Sequence, residues 1–133
     1  VKLKLDFVSN SSSTSFVYIS DDELTEEVFL RAAGVDRDGP VGDLFSQMFY
    51  EISTSLQQYG EQLTTKIAAD KFSGSHEFTP EVIEKMKVAI DQGKRVITST
   101  LSSDGSLAES VLCMAMFEID SDHFYINAYN NYW

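Results

Sequence analysis

From Leu44 onward, apolar residues recur at spacings of three and four. Leu44, Phe45, Met48, Phe49, Ile52 and Leu56 keep this period, and Tyr59, Leu63 and Ile67 extend it. At 3.6 residues per turn, these positions fall on one wide helical stripe. A stripe of this width must be covered, so the chain has to place at least one further layer against it. Core packing is the default reading, and a partner-binding face is the alternative. Gly60 is the point at which the stripe can divide.

The segments around the stripe carry strand and helix signals in alternation. Leu3, Leu5 and Phe7 alternate with Lys2, Lys4 and Asp6, the period of a half-buried strand over residues 2–8. Phe16 to Ile19 is a second strand. Ser20 and Glu23 have the spacing of a capping box ahead of the helical stretch DDELTEEVFLRAA, and Gly34 is its natural stop. Thr79-Pro80-Glu81 opens another helix with a hydroxyl cap, a first-turn proline and an acid; Gly93 closes it. Residues 95–101 and 123–128 read as strands. Between them, Ser106 and Glu109 form a second capping pattern that favours a helix over LAESVLCMAM. The expected fold is one small α/β domain over residues 1–133, an about four-stranded mixed sheet packed with three to four helices. Strand–helix–strand steps imply some parallel pairing.

Charge narrows the function classes. The chain carries 21 acidic against 10 basic residues, a formal net charge of −11. Such a surface repels nucleic-acid backbone and anionic lipid, so neither nucleic acid nor membrane is an expected partner. No Lys or Arg follows Arg95, whereas Asp104, Glu109, Glu118, Asp120 and Asp122 do. That acidic tail can meet a basic partner or a cation, or can be solvated surface alone. Cys113 is the only cysteine, which precludes an intramolecular disulfide and suits a reducing, cytoplasmic setting. Neither a signal peptide nor a membrane span is legible.

One local feature stands out. SNSSSTS, at residues 9–15, puts five serines, an asparagine and a threonine between two strands, without a glycine. Phosphate loops draw on backbone N–H groups that glycines make approachable, and this segment has neither glycine nor lysine. A structural reading has Asn10 and the serines bonding to their own backbone. A functional reading makes Asn10, Ser11, Ser12, Ser13 and Ser15 ligand contacts, with Asp104, at the turn SSDGS, beside them. The other candidates are single residues. His123 follows Asp120 and Asp122 with the alternation of a weak cation site, although an acidic turn explains the same string. His76 lies next to Glu77 in a Gly/Ser loop. Cys113 lies in an apolar run and reads as a buried thiol.

LDFVSNSSSTSFVYIS resembles a segment at the N-terminus of many uncharacterised bacterial proteins, of the form K-x-x-x-F-V-[ST]-N-S-S-S-S-S-F. Phe7, Val8, Asn10, Ser11 to Ser13, Ser15 and Phe16 carry the resemblance, with Thr14 in place of a serine. It implies kinship and no particular chemistry. The residues contain no metal-ligand spacing, no cofactor loop and no nucleophile–base motif, so no cofactor is expected. The expectation is a cytoplasmic accessory or regulatory protein that binds another protein. The alternative is a small enzyme or a nucleotide- or phosphate-binding protein, using the Ser-rich loop at residues 10–15 with Asp104 or His123 nearby.

Overall fold

The computed structural model describes residues 2–7, 13–74, 77–102 and 115–128. Five strands build its sheet: β1 (Lys2–Phe7), β2 (Ser13–Ser20), β4 (Arg95–Ser102), β5 (Ala115–Asp120) and β6 (Phe124–Ala128). A two-residue strand, β3 (Glu61–Gln62), extends one edge. The order across the sheet is β1-β5-β6-β2-β4-β3. The helices are α1 (Glu26–Ala33), α2 (Gly42–Tyr59), α3 (Lys66–Asp70) and α4 (Pro80–Asp91).

The expected mixed sheet is corrected: every pairing among the described residues is antiparallel. The reason lies in the long helical excursion between β2 and β4. It leaves the sheet at Ser20 and returns beside it, with Arg95 paired to Ser20. A chain that returns to the end it left runs antiparallel to its neighbour, whereas a single crossover helix would have carried it to the other end.

Alternation along the strands sends side chains to two separate cores. Phe16 and Tyr18 of β2, with Phe124 and Ile126 of β6, face α1 and α2. Val17 and Ile19, with Val96 and Tyr125, face α3 and α4. The molecule is therefore a three-layer sandwich. On the first face, aromatic rings dominate: Phe29 of α1 stacks on Phe124 with centroids 6.4 Å apart and meets Phe49 of α2 at 6.0 Å. Such pairs add to the stabilisation that hydrocarbon burial supplies.

The long stripe is split, and Gly60 is the reason. Phe45, Met48, Phe49 and Ile52 are buried as expected, but Tyr59 is 69% exposed and Ile67 75% exposed. Leu63 is buried, yet in the core on the opposite side of the sheet. The chain crosses from one face to the other around the β4 edge. A Cβ on Gly60 would lie 2.2 Å from the Leu56 carbonyl oxygen and 3.0 Å from Ile97, so only glycine permits this crossing. Beyond it, the Leu63 N–H donates to the Val96 carbonyl.

Helix boundaries follow cap chemistry. Thr79 accepts from the Val82 N–H, with Pro80 at the first turn, as expected. Gly34 closes α1 in the left-handed region at φ 71°. Ser20, however, does not cap α1. It ends β2, and Thr25 is the cap, accepting from the Val28 N–H. The Ser20 hydroxyl instead donates to the His123 carbonyl at 2.9 Å and accepts from the Asp22 N–H. The helix expected over LAESVLCMAM, residues 107–116, falls mainly on residues 107–114, outside the described residues. Its last two residues are corrected: Ala115 and Met116 begin β5, held between β1 and β6. A short apolar run has no decisive period of its own, and two flanking strands make it the third.

Candidate functional site

The end of the sheet where β2 stops and β5 turns into β6 carries an open groove of about 330 Å³. Its floor is built by the turn. Ser121 closes that turn with its side chain: its Oγ accepts from the Phe124 N–H at 3.2 Å and the His123 N–H at 3.3 Å. Its hydroxyl also lies 3.0 Å from the Phe124 carbonyl. Asp120-Ser121-Asp122-His123 is thus a hairpin turn closed by a serine. Among the described residues, no three His, Cys, Asp or Glu side chains converge as a metal site would require.

One wall of the groove is α4, whose spacing puts Glu81, Glu84, Lys85 and Val88 on its outer side. Val88 is 51% exposed, so the rim has an apolar step. Lys85 reaches across to the sheet. Its ammonium lies 3.2 Å from Asp120 Oδ2 and 4.6 Å from the centroid of the Tyr125 ring. Both members of the ion pair are about half exposed, at 47% and 46%, so solvent screens the pair heavily.

Tyr125 is held rigidly from below. Its hydroxyl donates to Glu118 Oε2 at 2.6 Å, and the same oxygen accepts from Asn127 Nδ2 at 3.3 Å. Burial, followed by the adjoining Glu118 carboxylate, pushes the phenol well above its ordinary pKa. Asn127 is only 7% exposed, and its Oδ1 is buried without a hydrogen-bond partner among the described residues.

The groove is strongly acidic. Asp21, Glu81, Glu84, Asp120 and Asp122 contribute carboxylates, against the ammonium groups of Lys85 and Lys94. Asp21, Glu81 and Asp122 form no ion pair among the described residues. Ile19, Ala89 and Phe124 also border the groove, each almost fully buried.

The described serines of the Ser-rich segment, Ser13 and Ser15, lie toward the other end of β2. Asn10, Ser11, Ser12 and Asp104 lie outside the described residues, as do His76 and Cys113. Ser13 begins β2, with its backbone opposite Ser102. Ser15, also in β2, donates its hydroxyl to Glu77 Oε2 at 2.9 Å. A phosphate approaching Ser15 would therefore meet a carboxylate. From Ser15 to Ser20 the strand rises about 17 Å at ~3.3 Å per residue, and His123 sits at the Ser20 end. β2 therefore separates Ser15 from His123.

Sequence reading missed the Lys85–Asp120–Tyr125 assembly. Asp120 was legible as part of an acidic turn, but nothing in the local sequence singles out Lys85. Its two partners are 35 and 40 positions further on, and no local period links them. Comparison of the chain with protein-family models, curated proteins and solved structures finds no match. No helix among the described residues is long and apolar enough to cross a membrane.

Proposed function

We propose that this protein works by binding another protein, as a cytoplasmic accessory or regulatory factor, and that its partner docks in the groove between α4 and the β5–β6 turn. The supporting observation is the groove itself: an open depression of about 330 Å³ with an exposed apolar rim at Val88 and charged walls. Exposed apolar surface ringed by polar groups is the usual make-up of a docking surface. The single cysteine and the net charge of −11 agree with a reducing compartment and with a partner other than nucleic acid.

Site-specific photocrosslinking tests the reading. A benzoylphenylalanine at Val88 should give a discrete protein adduct in the native host. The same probe at Tyr50, exposed on the opposite layer, should give none. Equal labelling from both positions would overturn the assignment of the groove. A thermal shift with nucleotide or phosphate, abolished by Ser11→Ala, Ser12→Ala and Ser13→Ala together, would replace the reading with a phosphate-binding one.

A further inference from the structure

We infer that the groove's occupant is an extended, lysine- or arginine-rich segment of another protein, and that Lys85 is a built-in stand-in for one of that segment's cations. This rests on the protein-binding reading above and adds the chemistry of the partner. Three features of the groove converge on it.

The first is charge. Five carboxylates line the groove against two ammonium groups, and Lys85 is already committed to Asp120. Asp21, Glu81 and Asp122 remain without an ion pair among the described residues. A cationic segment complements this field, whereas an acidic or phosphorylated one is repelled by it.

The second is the seat beneath Lys85. The Tyr125 ring and the Asp120 carboxylate together hold an ammonium, at 4.6 Å from the ring centroid and 3.2 Å from the carboxylate oxygen. Donation of the Tyr125 hydroxyl to Glu118 leaves the ring more electron-rich and fixes its orientation. The structure thus shows a cation seat with a cation in it. The seated group is tethered on a flexible stem and half exposed, so an incoming guanidinium or ammonium can displace it at small cost.

The third is the spacing of charge and hydrocarbon. Val88, 51% exposed, stands on α4 among the groove's carboxylates, with the almost fully buried Ala89 and Phe124 beneath. Long basic side chains lay their methylene stems on such surfaces and keep their charged heads at the rim. A metal ion would make no use of these apolar surfaces.

Fluorescence anisotropy with a labelled decalysine peptide tests the inference, with a decaglutamate peptide as the negative probe. Binding should be saturable at low salt and should weaken toward about 0.15 M salt, as screened charge pairs do. Asp120→Asn should weaken it by at least about threefold. Asp43→Asn removes the same charge on the opposite layer and should change it by less than about 1.5-fold. Lys85→Gln empties the seat and should tighten binding by at least about threefold. Lys71→Gln, an equal change of charge on a residue outside the groove, should not. Asp122→Asn offers a second groove variant if Asp120→Asn proves unstable in a thermal melt.

Equal losses from Asp120→Asn and Asp43→Asn, or equal gains from Lys85→Gln and Lys71→Gln, would reduce the effect to general acidity and overturn the inference. So would failure of decalysine to bind, or preference for the acidic peptide. None of these results touches the Val88 crosslink, which judges the binding reading separately.

Discussion

The two faces of the sheet are built to different standards. Against α1 and α2, the sheet presents Phe16, Phe124, Ile126 and Ile119, and the helices answer with Phe29, Met48 and Ile52, all almost fully enclosed. Against α3 and α4, the apolar residues are on average smaller, and polar groups enter the layer: Tyr125, Asn127 and Glu118 share one hydrogen-bonded cluster. The α3–α4 pair is also fastened by two ion pairs, the exposed Lys66–Asp91 and the partly covered Lys87–Asp70. The first face also buries polar atoms, but Ser55 and Ser99 spend theirs on each other and on backbone carbonyls. The mixed face carries directional groups and an open groove. The comparison teaches that the large aromatic residues are gathered in one layer, while the groove opens beside the other.

The sharpest way to break this contrast is to open the aromatic face. Phe29→Ala should cost about 3–5 kcal/mol, because a fully buried ring and its contacts with Phe49 and Phe124 vanish together. A urea titration followed by circular dichroism measures the loss. A loss below about 1 kcal/mol would mean that the first face is not the structural one.

A smaller effect tests how that face is joined to the sheet edge. Ser55 of α2 donates to the Thr100 carbonyl at 2.7 Å and lies 2.6 Å from the Ser99 hydroxyl, which in turn reaches the Ser55 carbonyl at 3.0 Å. Ser55→Ala leaves buried polar atoms short of a partner and should cost about 1–3 kcal/mol. Hydrogen exchange should show the protection of β4 falling before that of β6.

On the mixed face, Tyr125→Phe removes the donor to Glu118 and should cost about 1–2 kcal/mol near neutral pH. It also has a signature in pH. The folded phenol keeps its proton above the unfolded value of 10.0, because burial and Glu118 both disfavour the anion. Above pH 10 the unfolded chain ionises while the folded one does not, so the folded state binds more protons and stability falls as pH rises. Denaturation curves between pH 9 and 11 should show this decline in the wild type and a shallower one in Tyr125→Phe. Tyr18, raised chiefly by burial, and Lys87, raised chiefly by its hydrogen bond to Asp70, act in the same direction.

The smallest effect is expected at the α3–α4 fastening. Lys66→Ala breaks a pair whose members are 53% and 58% exposed and should change stability by less than about 1 kcal/mol. A melt at high salt should erase even that difference. A larger, salt-insensitive loss would show that the second layer depends on this contact more than its exposure allows.

Much of the chemistry that acts over a few residues was legible, although the Ser20–Glu23 pattern was not the cap of α1. Thr79-Pro80 starts α4, Gly34 and Gly93 end helices, and the four expected strands appear as β1, β2, β4 and β6 in one sheet. The strip from Leu44 to Leu56 is a helix with a buried face. These follow from caps, φ preferences and periodicity, which the residues carry with them wherever they are placed.

Other features depended on what the chain met after folding. Gly60 ends the stripe because the chain must round the β4 edge there, and Leu63 is buried in a different core from Leu56. Ala115–Asp120 is a strand because β1 and β6 lie on either side of it. Ser20 answers the His123 carbonyl, 103 positions away, in place of the helix that follows it. Lys85 becomes the resident of a cation seat only when β5 and β6 place Asp120 and Tyr125 beneath it. Periodicity, and a cap such as Thr79-Pro80 with no distant competitor, are properties of a segment, and so the sequence alone determined them. Antiparallel order, the choice of face and the assembly of the groove are properties of pairs far apart in the chain, and only the packed structure selects among the pairs that the same segments could form.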